Sequence, residues 1–234
     1  NQTMQLYIIR HCQSENNALW RRTGSDNGRS SDPSLTEIGF QQAQILADFL
    51  SASSAQGRVG KPNGTSDNDF GFTHLYCSLM RLAIQTGTPI AEALGLPLIA
   101  HYDIHERGGI YYKDPHSETN KGLPGANRDH FQTHYPQLIL PESLGTDGWW
   151  NRPYEDQEEA LTRARNFYAW LEVQHGGTED RVAIISHGGF FQSLLSILLG
   201  ASLVNTEIEP SREIWIKSNN GAIRRDSPHL SESR

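Results

Sequence analysis

The chain of 234 residues carries 20 Lys and Arg against 27 Asp and Glu, a formal charge of −7, and 36% of its residues are apolar. This is the composition of an ordinary soluble protein, long enough for one large α/β domain, and it argues against a broad basic nucleic-acid surface, so any anion site has to be local. Two cysteines, Cys12 and Cys77, make neither a disulfide framework nor a C-x-x-C metal spacing, and no apolar stretch reaches transmembrane length.

Leu6 to Ile9 reads as a buried first strand. Ser34-Leu-Thr-Glu37 reads as a capping box, and behind it Ile38, Ala43, Ile45, Leu46, Phe49 and Leu50 recur near helical spacing, which predicts the first helix. Residues 52 to 69 are a Ser-, Gly- and Asn-rich loop with no core to offer. His74 to Cys77 predicts a second strand, and a helix follows from about Leu79 to Leu94, closed by Gly95 and Pro97. Between Tyr102 and Tyr154 periodicity is lost, which marks an elaborated loop region, and long loops in compact domains often carry function. "DQEEALTRARNFYAWLEV" restores an amphipathic helix, "RVAIIS" a strand and "GFFQSLLSILLG" a buried helix. "REIWIK" and "GAIRR" read as closing strands around an Asn-Asn-Gly turn. The alternation predicts one α/β domain over residues 1–234, with a mostly parallel central sheet and helices on both faces.

The stretch "LYIIRHCQSENNALWRR" sets a cysteine directly after a histidine at the end of the first strand. A thiolate nucleophile in a cysteine-dependent phosphatase loop needs an arginine at position 18, where Ala18 stands, and Arg21 and Arg22 come too late to close that loop. The chemistry therefore passes to Arg10 and His11. These end the first strand, Ser78 to Arg81 follow the second, and Ser186-His187-Gly188 end the "VAII" strand. In open α/β sheets the ligand crevice lies outside the carboxyl ends of the strands, so the three groups are expected to converge. Two guanidinium forks for phosphate oxygens and two imidazoles make a phosphoryl-transfer toolkit.

Five segments in this order resemble the histidine phosphatase superfamily, in its phosphoglycerate mutase-like branch, over nearly the whole chain. They are Arg10-His11-Cys12-Gln13-Ser14 with Asn17, "DPSLTEIGFQQA", "CSLMRLAIQT" with Arg81, "DIHERGG" with Glu106, and "ISHGG" with His187 and Gly188. Arg22-Thr23-Gly24 is similar to the family's turn after the first motif. The resemblance implies a phosphoglycerate mutase-like fold and a catalytic set of His11, Glu106, Arg10, Arg81 and His187. Asn17, Thr23, Gly24, Arg107 and Gly188 are implied to line the substrate. His11 would attack phosphorus, Arg10, Arg81 and a protonated His187 would hold the equatorial oxygens, and Glu106 would serve as acid and then base. Cys12 replaces the family's usual glycine and is expected to pack as a small apolar group. Gln13 replaces the glutamate common in mutases.

His101, His105, His116, His130 and His134 fit no established metal motif, so neither a metal nor another cofactor is expected. Loop aromatics Tyr111, Tyr112, Trp149 and Trp150 either wall a substrate pocket or pack the loop down. In the mutases an Arg-His-Tyr-Gly stretch follows the acid and a later basic pair grips the substrate. Here Glu106 is followed by Arg107-Gly-Gly-Ile-Tyr, with no equivalent pair between Tyr112 and Asp147. The expected activity is thus a metal-independent phosphomonoesterase, a histidine acid phosphatase-like hydrolase acting on a small phosphorylated metabolite. A cofactor-dependent phosphoglycerate mutase-type phosphotransferase is the alternative, and a binding protein on a degenerate member of the fold is disfavoured because the catalytic set is intact. Cysteine usage and an N-terminus without signal-peptide layout predict a cytoplasmic protein with no nucleic-acid or membrane partner, and leave a homo-oligomer open.

Overall fold

The computed structural model describes residues 3–56, 70–114, 116–117, 119–200, 217–219 and 222–224. Strands β1 (Gln5–Arg10), β2 (His74–Cys77), β3 (Leu98–Ala100) and β6 (Arg181–Ser186) form a parallel sheet in the order β1-β6-β2-β3. Their apolar runs have no polar face because both sides of the sheet are covered, as parallel strands require. Tyr7, Ile9, Leu75, Cys77, Ala183 and Ile185 face helices α2 (Glu37–Gln56) and α3 (Arg81–Leu94). Leu6, Ile8, Tyr76, Val182 and Ile184 face α5 (Gln157–His175) and α6 (Gly188–Leu199). Phe167 and Phe190, both fully buried, fill the second layer, and burial of such a side chain is worth about 1.5–3 kcal/mol.

The first helix in the chain is one the periodicity does not show. α1 (Glu15–Thr23) has no buried residue and hence no apolar stripe. Its sequence signal is instead a capping box, with Ser14 accepting from the Asn17 N–H and the Asn17 side chain accepting from the Ser14 N–H. α2 begins later than expected. Thr36, not Ser34, caps it by accepting the Gly39 N–H at 3.0 Å, while the Ser34 hydroxyl donates to Gln85 Oε1. The helix also runs to Gln56, five residues into the segment read as loop. Its buried stripe is Gly39, Ala43, Ala47 and Leu50, whereas Ile38, Ile45 and Phe49 are 55%, 68% and 49% exposed. Small alanines let α2 lie close on α3, and this contact, not the count of apolar residues, selects the buried face.

The second strand and the strand β6 occupy the predicted residues, and α3, α5 and α6 lie within a residue or two of their expected ends. β3 follows Pro97 and is too short to announce itself. The region from Tyr102 to Tyr154 contains a 3-10 turn (Tyr102–Ile104), a hairpin of β4 (Tyr111–Lys113) and β5 (Asn120–Gly122), and α4 (Arg128–His134). Trp149 and Trp150 are buried against His105, with ring centroids 5.4 and 4.8 Å from its imidazole, so they pack this region down. β7 (Lys217–Asn219) and β8 (Ala222–Arg224) pair antiparallel; β8 lies within the expected "GAIRR" strand, whereas β7 overlaps the expected "REIWIK" strand only at Lys217 and takes Asn219 from the expected turn. The rest of that expected hairpin, and residues 57–69 of the expected loop, lie outside the described residues.

Candidate active site

The register of the sheet builds the site. Arg10 pairs with Ser186 and Cys77 with Ile185, so β1, β6 and β2 end level with one another. The residues that leave these ends, His11, His187 and Ser78, are brought together although 176 positions separate the two histidines. Their rings stand 5.2 Å apart, and His187 Nε2 is 2.6 Å from Ser78 Oγ.

His11 Nδ1 is 2.8 Å from the Cys12 carbonyl. A carbonyl only accepts, so Nδ1 carries the ring proton and Nε2 of the neutral ring keeps a bare lone pair. Burial holds His11 neutral, lowering its pKa to about 4 against the raising effect of that carbonyl, with Arg10 adding to the lowering. Thr86, at 3.1 Å from the Cys12 N–H, fixes the same turn. Cys12 is partly buried and packs against the α2/α3 core, the small apolar role expected of it. The Cys77 thiol is fully buried, and burial pushes its pKa up beyond any reactive range.

His187 is 2% exposed at the start of α6. Ser78 Oγ accepts the Met80 N–H and shares a hydrogen bond with His187 Nε2, which engages that nitrogen and leaves Nδ1 as the other ring nitrogen. The protonated His187 expected from the sequence is disfavoured here. Burial lowers its pKa well below the usual value, and His11, His105, Arg163 and Arg10 act in the same direction.

Arg10 projects from the end of β1 over the first turn of α6, where a Cβ on Gly188 would lie 3.8 Å from its Cζ. Arg81 opens α3, and its N–H donates to Asp32 Oδ1 at 3.0 Å. Burial pushes Asp32 up to about 6, while the Arg81 N–H and then its charge pull the other way. His130 of α4 is lowered by burial, with the His134 and Arg81 charges adding to this, and Tyr135 is raised by burial against Arg81, so this end of the elaborated region faces Arg81.

Glu106 follows the 3-10 turn and its Oε1 accepts the Arg107 N–H at 2.8 Å. Burial raises its pKa, opposed by that N–H, then by Arg10, Arg107 and Arg163. The carboxylate lies so close to α6 that a Cβ on Gly189 would fall 2.2 Å from Oε1. Gly189, the second glycine of "ISHGG", is therefore the position where a side chain would push the Glu106 carboxylate aside, whereas Gly188 has room for one.

A buried ion pair holds the Glu106 segment. Arg163 Nε and Nη2 donate to Glu155 Oε1 and Oε2 at 2.7 Å each, and both residues are 5% exposed. Arg163 Nη1 donates to the carbonyls of Asp103 (2.6 Å) and His105 (3.1 Å), and Ser186 Oγ donates to the Ile104 carbonyl at 2.7 Å. Three successive carbonyls before Glu106 are thus fixed from α5 and β6. His105 donates from Nδ1 to the Glu106 carbonyl at 2.7 Å. Glu155 and Arg163 escaped the sequence reading because an eight-residue separation matches no local motif, and Arg163 reads there as a helix-surface charge.

The remaining expected substrate residues have structural employment. The Asn17 carboxamide oxygen accepts from Ser14 N–H and Oγ in the α1 capping box. The exposed Thr23 hydroxyl bonds within the end of α1, and exposed Gly24 is its left-handed cap with φ 65°. Asn17 Nδ2 and the Arg107 side chain keep donors to offer.

A family model described as histidine phosphatase superfamily (branch 1) matches residues 6–58 and 64–210. "Putative phosphoserine phosphatase 2" of Hydrogenobacter thermophilus is 27% identical over 202 residues, covering 86% of this chain and 81% of that protein. "Probable phosphoglycerate mutase GpmB" of Yersinia pestis is 27% identical over 203 residues, covering 84% and 75%. Among solved structures, a mycobacterial glucosyl-3-phosphoglycerate phosphatase superposes with TM-score 0.54 at 18% identity, covering 92% and 90% of the two chains. The alpha-ribazole phosphatase of Shigella flexneri does so with TM-score 0.52 at 19% identity, covering 95% of each. At such identities these two likenesses show a shared fold.

Proposed function

The chain belongs to the histidine phosphatase superfamily, and we propose that it hydrolyses the phosphomonoester of a small metabolite through a phosphohistidine on His11. The observation that carries the reading is the His11 tautomer: with Nδ1–H held by the Cys12 carbonyl, Nε2 is the nucleophilic nitrogen, in a ring beside His187 and within the field of Arg10. Nε2 attacks phosphorus in line, the P–O bond to the leaving group breaks, and the leaving oxygen takes the Glu106 proton. Arg10, Arg81 and His187 meet the equatorial oxygens, where charge spreads in the transition state. A phosphate dianion in the site would itself favour protonation of His187, since an opposite charge at contact outweighs part of the burial cost. Water then attacks the phosphohistidine, Glu106 takes its proton, the P–N bond breaks, and inorganic phosphate leaves with His11 neutral again.

Hydrolysis is favoured over mutase-type return transfer by the employment of the cations in the elaborated region. Lys113 pairs with Asp26 at 3.0 Å, and Arg128 donates to the carbonyls of Leu144, Pro141 and Glu142. Between residues 107 and 151 this leaves Arg107 and Lys121 to grip a substrate, and Arg29, which stacks on Tyr111 at 4.1 Å, and Arg152, over Trp150 at 4.0 Å, are likewise engaged. The names of the relatives include both activities, so the partition of the phosphoenzyme is the decisive measurement. Rapid quenching with labelled substrate is expected to trap an acid-labile, alkali-stable label on His11, and product analysis to show inorganic phosphate in excess of any transferred ester. Label on Cys12, or interconversion of 2- and 3-phosphoglycerate outrunning phosphate release from every ester tried, would refute the proposal.

A further inference from the structure

At the amino end of the sheet, away from the strand ends that carry His11 and His187, three possible metal ligands meet. His74 opens β2, His175 is the last residue of α5, and Asp180 immediately precedes β6. Their donor atoms all lie within 4.8 Å of one another. His175 Nδ1 is 2.9 Å from Asp180 Oδ2, and His74 Nδ1 is 3.9 Å from Asp180 Oδ1. We propose that His74, His175 and Asp180 form a binding site for a divalent transition-metal ion, zinc above all, with water as its fourth ligand.

The dimensions and the surroundings both fit. Around a tetrahedral ion with bonds of about 2.0–2.1 Å, neighbouring ligand atoms stand roughly 3.3–3.5 Å apart. The His175 Nδ1–Asp180 Oδ2 separation has to open by about half an ångström, and His74 Nδ1, 3.9 Å from the other carboxylate oxygen and 2.9 Å from Thr73 Oγ1, has to leave Thr73 and draw in, no donor pair starting farther apart than 4.8 Å; rotation of the His74 and Asp180 side chains supplies this. Two imidazoles and one carboxylate are a donor set suited to zinc, whereas magnesium and calcium take oxygen ligands. His175 is 3% exposed and cannot swing away, because Tyr76 OH stands 3.1 Å from its Nε2. That contact supplies the outer partner that a metal-bound imidazole normally has. In the metal-free state Nδ1 donates to Asp180 and Nε2 accepts from Tyr76. On binding, the ring changes tautomer with no net loss of a proton from His175: the Nδ1 proton is given up as one is taken up at Nε2, so Nδ1 turns its lone pair to the ion and Nε2–H donates to the phenol oxygen.

The loop is also fixed before any ion arrives. Thr178 Oγ1 donates to the His175 carbonyl at 2.7 Å and accepts the Asp180 N–H at 3.0 Å, so Asp180 is held facing His175. The His74 and Asp180 side chains are 36% and 25% exposed, which opens the fourth position to water. The bridge would join β2 to the end of α5 and the start of β6. Its effect is on stability, and its ligands are separate from the phosphoryl-transfer groups.

The test is calorimetric titration of chelator-treated protein with zinc chloride, alongside cobalt(II) as a spectroscopic probe. The expected result is one saturating ion per chain with micromolar or tighter affinity, a rise in melting temperature with zinc, and visible absorption of tetrahedral cobalt. His74→Ala changes a half-exposed residue and is expected to lose at least about tenfold in zinc affinity and the cobalt spectrum, with phosphatase activity unchanged. Asp180→Asn is expected to weaken binding similarly. Zinc held at the active-site histidines would survive both substitutions. If no component of zinc binding depends on His74 and Asp180, the three residues are a hydrogen-bonded anchor and the proposal falls, whatever the outcome for phosphohistidine chemistry.

Discussion

The Glu155–Arg163 pair is expected to act on catalysis through the backbone carbonyls that Arg163 holds, and its two contributions can be separated. Arg163→Met keeps the length of the side chain but leaves the Glu155 carboxylate, 5% exposed, with no cation. Breaking one partner of a buried pair costs about 3–5 kcal/mol, and at this chain length each kcal/mol lowers Tm by about 2–4 °C, so a fall of roughly 6–20 °C is expected. The double variant Glu155→Gln with Arg163→Met removes both charges and is expected to regain most of that stability, because two neutral side chains carry no unpaired charge. It does not regain the donors that hold the Asp103 and His105 carbonyls at 2.6 and 3.1 Å. The Glu106 carboxyl then loses its aim, and a misplacement of about 1 Å is worth on the order of 10²-fold in rate. The assay is single-turnover formation of phosphoenzyme, comparing an alkyl phosphate with p-nitrophenyl phosphate. The double variant should be slowed on the alkyl ester, whose leaving oxygen needs a proton, and far less on p-nitrophenyl phosphate. Recovery of both melting temperature and alkyl-ester rate in the double variant would show that the pair is structural only.

Gly189→Ala is expected to cost about 10²-fold in kcat, since its Cβ would meet Glu106 Oε1 at 2.2 Å, whereas Gly188→Ala, with its nearest neighbours at 3.8 and 3.9 Å, should stay within about tenfold; steady-state kinetics decide. The pH profile of kcat/KM should be bell-shaped and acid-shifted, falling below about pH 4 as His11 protonates and falling again above the raised pKa of Glu106; Glu106→Gln should abolish the alkaline limb. Stability should run the other way from activity at low pH. His105 and His187 are held neutral in the fold by burial, so below the ordinary histidine pKa of about 6.5 the unfolded chain binds protons that the folded chain does not, and the urea midpoint should drop steadily from pH 7 to pH 5. Excess chelator should leave phosphatase activity intact, because guanidinium and imidazole donors meet the phosphate; activity lost on chelation and restored by one divalent ion would overturn the mechanism.

Much of this molecule was legible in one dimension. Strands β2 and β6 and helices α3, α5 and α6 are set by runs of apolar residues and by local punctuation, such as Gly95 with its left-handed φ of 66°. Arg10, His11, Arg81, Glu106 and His187 were readable because each sits in a short motif beside a strand or turn that the chain itself marks. What stayed hidden depends on which surfaces meet. Ile45 and Ala47 differ in apolar area in the wrong direction, yet the isoleucine is 68% exposed and the alanine is fully buried, because α2 must approach α3 closely. The chemistry of the motif reads His187 as a cation, but burial first, and then the His11, His105, Arg163 and Arg10 charges, push its pKa well below the ordinary value in the folded chain. Arg163 and Glu155, and at the opposite end of the sheet His74, His175 and Asp180, are ordinary letters in the sequence. Propensity and periodicity act over a few residues and are written locally, whereas hydrogen bonds, desolvation and steric contact act over a few ångströms between residues that only the folded sheet makes neighbours.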